Sequence, residues 1–242
     1  MQALTAADIL DVWEQGASAG GHERALLLLG YARPDLPSGT LGEVPIGGRD
    51  ADLLRLREAT FGRRMLAVSR CPSCSETLEL DLDAEGIRPA IDASSSPRTV
   101  TVSIEGRERA VRLPTTDDLV AARADAAASG WDREVARRAL LTRLLDGGAA
   151  PPSRLAEAAV SEALANDDTG TEIRVGVACP ACGHEWDASL DVPAYLWEEV
   201  VASAERLAGE VAGLATAYGW READALRLSP WRRRLYLDLA SE

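Results

Sequence analysis

Two short cysteine motifs constrain this chain more than any other feature. All four cysteines of the 242-residue sequence fall into two Cys-x-x-Cys pairs, Cys71/Cys74 and Cys179/Cys182. A two-residue gap lets a tight turn direct both sulfurs toward one ion, and two such turns supply the tetrahedral set of sulfur ligands that zinc prefers. The sequence therefore predicts one structural Zn²⁺ ion bound by these four cysteines.

The residues around each pair favour the same turn twice. A proline follows the first cysteine of each pair, and Gly183 follows the second pair where a turn requires positive φ. The matching position after the first pair is Ser75, which can adopt that conformation at a cost of about 1–2 kcal/mol. Strand-like alternation flanks both pairs, for example over residues 77–83 and 185–192. This arrangement is typical of a zinc ribbon whose spacer has been widened by an insertion.

The two cysteine pairs have two alternative interpretations, as redox-active pairs or as buried, unreactive thiols. A redox pair needs a thiolate at a helix N-terminus, typically in a βαβ unit, whereas here a strand follows each pair. Four sulfur ligands leave no position for a metal-bound water, which disfavours a catalytic zinc. His184 lies two residues after Cys182, and we expect it outside the ligand set because four thiolates suffice.

Hydrophobic periodicity predicts an α+β fold. We expect a zinc-ribbon-like small antiparallel sheet, a helical insertion at about 115–166, and helical N- and C-terminal segments, within a single domain over 1–242. A hairpin is predicted within 98–113, and a break between helices at 147–152. The helical regions are 5–31 with a break near Gly16, 52–66, 115–166 and about 193–239, and the Pro- and Gly-rich residues 31–50 are expected to form a loop.

The last helix is expected to begin at Ser229-Pro230 and to bury Trp231, Leu235 and Leu239. The three consecutive arginines should then point away from the core. Because Trp and Arg are frequent in the energetic centres of protein interfaces, this segment is the predicted partner-binding surface. Its residues are Trp220, Trp231, Arg232, Arg233 and Arg234.

Composition disfavours several function classes. The chain carries 26 basic residues, all arginine, against 39 acidic ones, and the net charge of −13 opposes binding to nucleic acid or anionic membranes. No phosphate-binding loop, dinucleotide motif or zinc-protease helix is present, and the two histidines suggest no catalytic set, so neither catalysis nor a small-molecule substrate is expected.

The N-terminal residues do not resemble a secretory signal and no apolar run reaches membrane-spanning length, which predicts a cytoplasmic protein without membrane association.

Short motifs along the whole chain suggest a family. They are Pro45–Asp50, Leu56-Arg57, Phe61-Gly62, the two Cys-Pro-x-Cys knuckles, Leu78-Glu79, Leu196–Glu198, Ala217–Trp220, Leu226, Leu228–Pro230, Arg232-Arg233 and Tyr236-Leu237. In these motifs the chain resembles the small zinc-knuckle baseplate proteins of tailed phages of the T-even type and of related contractile injection systems. The family pattern has glycine where this chain has Ser75.

The resemblance implies a non-catalytic role in building or assembling a baseplate, with other subunits of the injection particle as partners. Whether the protein stays in the finished particle is left open. The alternative is a zinc-ribbon regulator that binds nucleic acid or a transcription complex. The arginines at 232–234 would serve such a regulator, whereas the net charge of −13 argues against it.

Overall fold

The computed structural model describes residues 2–87, 99–104, 106–145, 153–166 and 172–241. Its helices are α1 (Ala6–Gly16), α2 (Gly21–Ala32), α3 (Ile46–Phe61), α4 (Ala84–Ile87), α5 (Thr116–Ala128), α6 (Arg133–Leu144), α7 (Arg154–Asn166), α8 (Val192–Tyr218), α9 (Glu222–Leu226) and α10 (Pro230–Ala240). Its strands are β1 (Arg64–Arg70), β2 (Thr77–Asp83), β3 (Thr99–Ile104), β4 (Arg107–Arg112), β5 (Ile173–Ala178) and β6 (Glu185–Leu190). The α+β class predicted from the sequence is confirmed.

The main hydrophobic core lies among α1, α2, α3 and the first half of α8. Helix α1 begins with a capping box in which Thr5 and Asp8 satisfy each other's backbone N–H groups. Helix α8 begins after the Asp191 cap, and Trp197 on its second turn packs against Gly16 at the end of α1. A Cβ atom at Gly16 would lie 2.3 Å from the indole ring, so only glycine lets the two helices approach this closely.

The strands form three antiparallel hairpins, β1–β2, β3–β4 and β5–β6. In the described residues these are three separate two-stranded sheets, so small antiparallel sheets are confirmed and the zinc-ribbon identity stays a prediction. The two hairpins that carry the cysteine pairs are held together by their apolar residues. Leu78 of β1–β2 and Val177 of β5–β6 join one buried cluster, so these two hairpins pack through side chains rather than through strand edges.

The segment between the two cysteine pairs contains the hairpin β3–β4 followed by α5, α6 and α7. It has a hydrophobic core of its own, to which Val111, Leu144 and Val160 contribute fully buried side chains. A hydrogen bond of 2.9 Å from the Ile46 N–H to the Pro114 carbonyl links it to the start of α3. The break predicted at 147–152 lies outside the described residues, and the single-domain organisation over 1–242 stays a prediction.

The helix predicted over 52–66 has different limits. Helix α3 already begins at Ile46, within the predicted loop, because Pro45 stands directly before it and is compatible with a helix start. The helix stops at Phe61, since Gly62 has a φ of 92° that no helix can contain. Residues 64–70 then form strand β1, in which exposed positions alternate with Met65, which is buried, and with two half-buried positions. The remainder of the predicted loop includes a 3-10 helix, Ser38–Glu43.

We call residues 208–241, the end of α8 with α9 and α10, the C-terminal arm. Its aromatic residues cluster, with the rings of Tyr218 and Trp220 stacked at 4.9 Å and Tyr236 edge-on to Trp220 at 5.0 Å. Helix α10 approaches α8 closely at Gly213, where a Cβ atom would lie 2.7 Å from Leu237. Among the helices of the described residues, none combines the length and the hydropathy required to cross a bilayer.

Candidate metal centre

The two cysteine pairs form the same hydrogen-bonded turn at the tips of two hairpins. The Cys71 carbonyl accepts a hydrogen bond from the Ser75 N–H at 2.9 Å, and the Cys71 N–H donates to the Glu76 carbonyl at 2.8 Å. The second turn repeats both bonds at the corresponding positions after Cys179, at 2.8 and 2.9 Å. Each turn therefore holds its two sulfurs on one side of the chain, as the spacing predicts.

The fifth residue of each turn has positive φ. Gly183 has a φ of 72°, and Ser75 has a φ of 64° at the equivalent place. The left-handed region costs little for glycine and more for serine, because the Cβ atom crowds the following carbonyl oxygen. Ser75 therefore adopts the predicted conformation, and the prediction that the first turn is the less favourable one stays a prediction.

The structure brings all four cysteine sulfurs together. The Cys71 and Cys182 sulfurs are 3.7 Å apart, the Cys74 and Cys179 sulfurs are 3.6 Å apart, and all four lie within 4.8 Å of one another. These separations exceed a disulfide bond of about 2.05 Å, and all four thiols are free. The four cysteines could therefore hold one metal ion, with ligands from two chain segments more than a hundred residues apart.

The cluster fits the requirements of zinc. With Zn–S bonds of about 2.3 Å, neighbouring sulfurs of a regular tetrahedron lie about 3.8 Å apart, close to the two shortest separations observed. Thiolate is a soft ligand that favours Zn²⁺ over Mg²⁺ or Ca²⁺. Cys71 and Cys179 are buried, whereas Cys74 and Cys182 are exposed, so the site lies at the surface with one side embedded.

The electrostatics of the thiols also favour a cation. Burial acts to raise the pKa of Cys71, but the backbone N–H groups of Cys74 and Ser73 donate to its sulfur and lower that pKa to about 7. For Cys74 the backbone N–H of Glu76 acts to lower the pKa, whereas the neighbouring sulfurs, first that of Cys182, raise it to about 12. One thiol ionises readily and another resists, since thiolates this close repel each other until a cation neutralises them.

Side chains behind the sulfurs hold the two hairpins against each other. The buried cluster of Cys71, Leu78, Val177 and Cys179 is extended by partly buried residues, including Trp186. His184 is exposed, stacks on Trp186 at 6.0 Å between ring centroids, and lies outside the group of potential ligands.

Arg57 joins α3 to α8, and Tyr195 joins α8 to the first hairpin. This buried arginine of α3 donates two hydrogen bonds, of 2.9 and 2.6 Å, to the Glu199 carboxylate on α8, and a third to the Gly62 carbonyl. Tyr195, one turn earlier on α8, donates to the Leu66 carbonyl of β1 at 3.0 Å. Sequence reasoning missed this network, because Arg57 and Glu199 are 142 positions apart and no local pattern pairs them.

The predicted partner-binding residues do not form one surface. Arg233 is only 3% exposed; its Nε donates to Glu210 at 2.6 Å and its Nη1 to the Leu228 carbonyl, so it belongs to the interior of the C-terminal arm. Trp220 is half-buried in the aromatic cluster. Trp231, Arg232 and Arg234 are exposed.

The expectation that α10 buries Trp231, Leu235 and Leu239 is wrong. Trp231 is 71% exposed, Leu239 53% and Leu235 38%. At 100° per residue, the side of the helix that carries Arg233 lies opposite these three residues. The ion pair between Arg233 and Glu210 fixes that side against α8 and turns the apolar stripe outward.

No protein-family model matches this chain, and no curated protein or solved structure matches it either. The fold and the cysteine cluster therefore define its class. It is a helical α+β protein with a candidate four-cysteine metal centre between two hairpins.

Proposed function

We propose that this chain is a non-catalytic structural or assembly protein of the baseplate of a phage-like contractile injection particle, and that it acts in the cytoplasm with one bound Zn²⁺. The observation that carries the non-catalytic role is the four-sulfur cluster. When four thiolates bind a tetrahedral zinc, no ligand position remains for water or substrate. The baseplate role rests on the motifs that resemble the zinc-knuckle baseplate family.

The zinc has a structural task in this proposal. It joins the turn at 71–74 to the turn at 179–182, which are the tips of β1–β2 and β5–β6. These hairpins are connected through the whole insertion, and the apolar cluster behind the sulfurs is small. A metal that binds both tips therefore supplies stability that this cluster alone does not.

The exposed side of α10 is the proposed docking surface for other subunits. Trp231, Leu235 and Leu239 recur every four residues and form one apolar stripe, with Arg232 on one side and Arg234 on the other. Exposed aromatic and arginine side chains next to an apolar stripe are common at the centres of protein interfaces.

A co-purification experiment tests this function. We expect the wild-type protein to capture co-expressed baseplate subunits, and Arg232→Ala with Arg234→Ala to weaken capture while zinc content and unfolding stay unchanged. The matched control is Arg64→Ala with Arg174→Ala, which removes the same charge from exposed hairpin positions.

A titration with double-stranded DNA at several salt concentrations separates the two candidate functions. We expect negligible binding at physiological salt because of the net charge of −13. Tight DNA binding with a steep salt dependence, together with undiminished capture by the arginine variant, would replace the baseplate role by the nucleic-acid regulator.

A further inference from the structure

The N-terminal helices enclose an apolar groove that the site described above does not use. This α1–α2 groove has a volume of about 880 Å³, and its walls include Leu26, Leu27, Gly30, Tyr31 and Leu41. Two carboxylates also line it, that of Asp8, which is half-buried, and that of Glu23, which is exposed. Their capping hydrogen bonds use Oδ2 of Asp8 and Oε2 of Glu23. The groove thus combines an apolar floor with an acidic edge.

The outer side of α10 has the complementary character. Its apolar stripe, from Trp231 to Leu239, spans about 12 Å at 1.5 Å per residue. Arg232 and Arg234 flank the first half of the stripe, at Trp231 and Leu235, whereas Asp238 lies beside its second half, and all three side chains are exposed. The border is therefore basic next to the two residues that lead the stripe. An amphipathic helix with a basic border is the shape and charge that an apolar groove with an acidic border accommodates.

We infer that α10 of one copy docks in the α1–α2 groove of a second copy. The inference rests on the proposed assembly function and names the first partner of the α10 surface. Trp231 and Leu235 would enter the groove against Leu27 and Tyr31, and the flanking arginines would meet the two rim carboxylates. A second copy is the proposed occupant because one sequence carries both the apolar groove with its carboxylates and the apolar stripe with its arginines.

The two surfaces differ, so the contact is heterologous. One copy contributes its stripe and the next copy its groove, which leaves a free groove and a free stripe at the ends. Head-to-tail contacts of this kind build a ring when the rotation closes and an open chain when it does not. The net charge of −13 acts mainly within a screening length of about 8 Å at physiological salt, so charges at the contact count most.

Sedimentation of the purified zinc-loaded protein at 0.15 M salt tests the inference. For a contact of this small size we expect a dissociation constant in the range of about 10–500 µM, seen as a mass that rises above 25.8 kDa with concentration. Trp231→Glu should weaken association at least about tenfold. This variant should fold normally, because the residue is exposed and a carboxylate in the first turn of a helix is favourable.

Gly30→Arg blocks the groove from the other side. A Cβ atom at Gly30 would lie 3.6 Å from Leu41, which is an ordinary contact, so the backbone accepts a side chain and the long cation fills the groove. Gly30→Ala is the matched control and should associate like the wild type. Trp131→Glu, at another exposed tryptophan, is the control for the stripe.

Mixing the two blocked chains is the decisive measurement. Trp231→Glu keeps its groove and Gly30→Arg keeps its stripe, so we expect each alone to stay monomeric and an equimolar mixture to form a dimer and nothing larger. A wild-type chain that stays at 25.8 kDa throughout, or a mixture that does not form the dimer, would overturn the inference. Continued capture of baseplate subunits by such a monomer would leave the proposed function intact, because that experiment uses different partners.

Discussion

At the scale of single residues, the two knuckles differ at one backbone position. Ser75 and Gly183 both have positive φ and both donate the same turn hydrogen bond to the first cysteine of their pair. The serine stores strain there that the glycine does not, of the order of 1 kcal/mol. A Cβ atom added at Gly183 would have no neighbour within 4 Å, so there is room for a side chain. The difference in strain between the two turns therefore comes from the backbone conformation.

Replacing the residue with positive φ in each turn provides a matched pair of variants. We expect Ser75→Gly to raise the free energy of unfolding of the zinc-loaded protein by about 1 kcal/mol, and Gly183→Ala to lower it by about 1–2 kcal/mol. Urea unfolding of the three proteins measures both changes. A Ser75→Gly protein that is less stable than wild type would mean that the serine conformation costs less than the backbone freedom that glycine adds to the unfolded chain.

Asp118 is expected to make the stability of the fold depend on pH. Burial acts to raise the pKa of Asp118, but hydrogen bonds from Arg112 and Thr115 outweigh it and hold the pKa below its usual range. A carboxylate whose pKa is lower in the folded state stabilises the fold above the unfolded pKa of about 3.9, and this contribution disappears as the pH falls through the folded value.

We therefore expect Asp118→Asn to lower the free energy of unfolding by about 1–3 kcal/mol at pH 7. The difference from wild type should shrink as the pH falls below about 4, because both proteins then carry an uncharged side chain. Glu14→Gln, at an exposed position of α1, is the control. A difference that stays constant from pH 7 to pH 3 would contradict the role assigned to this ion pair.

At the scale of elements, local patterns were predictable and distant pairings were not. The four-cysteine cluster followed from cysteine spacing alone, and the hairpin β3–β4 followed from alternation. The end of α3 was misplaced because the residues after Gly62 contain enough apolar side chains to continue a helical pattern. The orientation of α10 was wrong because an ion pair between Arg233 and Glu210, 23 positions apart, overrides the apolar stripe.

Neighbouring arginines of the C-terminal arm are expected to differ in how much they contribute to its stability. We expect Arg233→Ala to destabilise the arm by about 3 kcal/mol or more, since it leaves Glu210 partly buried without its partner. Arg232→Ala with Arg234→Ala should leave stability within about 0.5 kcal/mol, as is usual for exposed positions. Hydrogen exchange of the amides of α9 and α10 measures both effects. Equal protection in the two variants would refute the interior role of Arg233.

At the scale of the whole molecule, the cysteine cluster ties together parts of the chain that are distant in sequence. Tyr195 ties hairpin β1–β2 to α8, Arg57 ties α3 to α8, and the sulfurs bring the tip of β1–β2 next to that of β5–β6. The strand β6 leads directly into α8. Loss of the proposed zinc should therefore increase the mobility of both hairpins relative to the helical core.

Replacing one ligand tests this coupling. Structural zinc in small domains contributes on the order of 10 kcal/mol, so we expect Cys182→Ser to lower the unfolding temperature strongly and to reduce bound metal. Ser73→Ala, within the same kind of turn but without a ligand sulfur, is the control. Normal stability of Cys182→Ser would show that the cluster is not what holds the hairpins together.

The most direct test of the central claim is the metal content of the purified protein, measured together with X-ray absorption at the zinc edge. We expect one zinc per chain with four sulfur neighbours at about 2.3 Å and no nitrogen or oxygen ligand. Protein that is folded but free of metal, or a zinc with fewer than four sulfur neighbours, would contradict the closed structural centre.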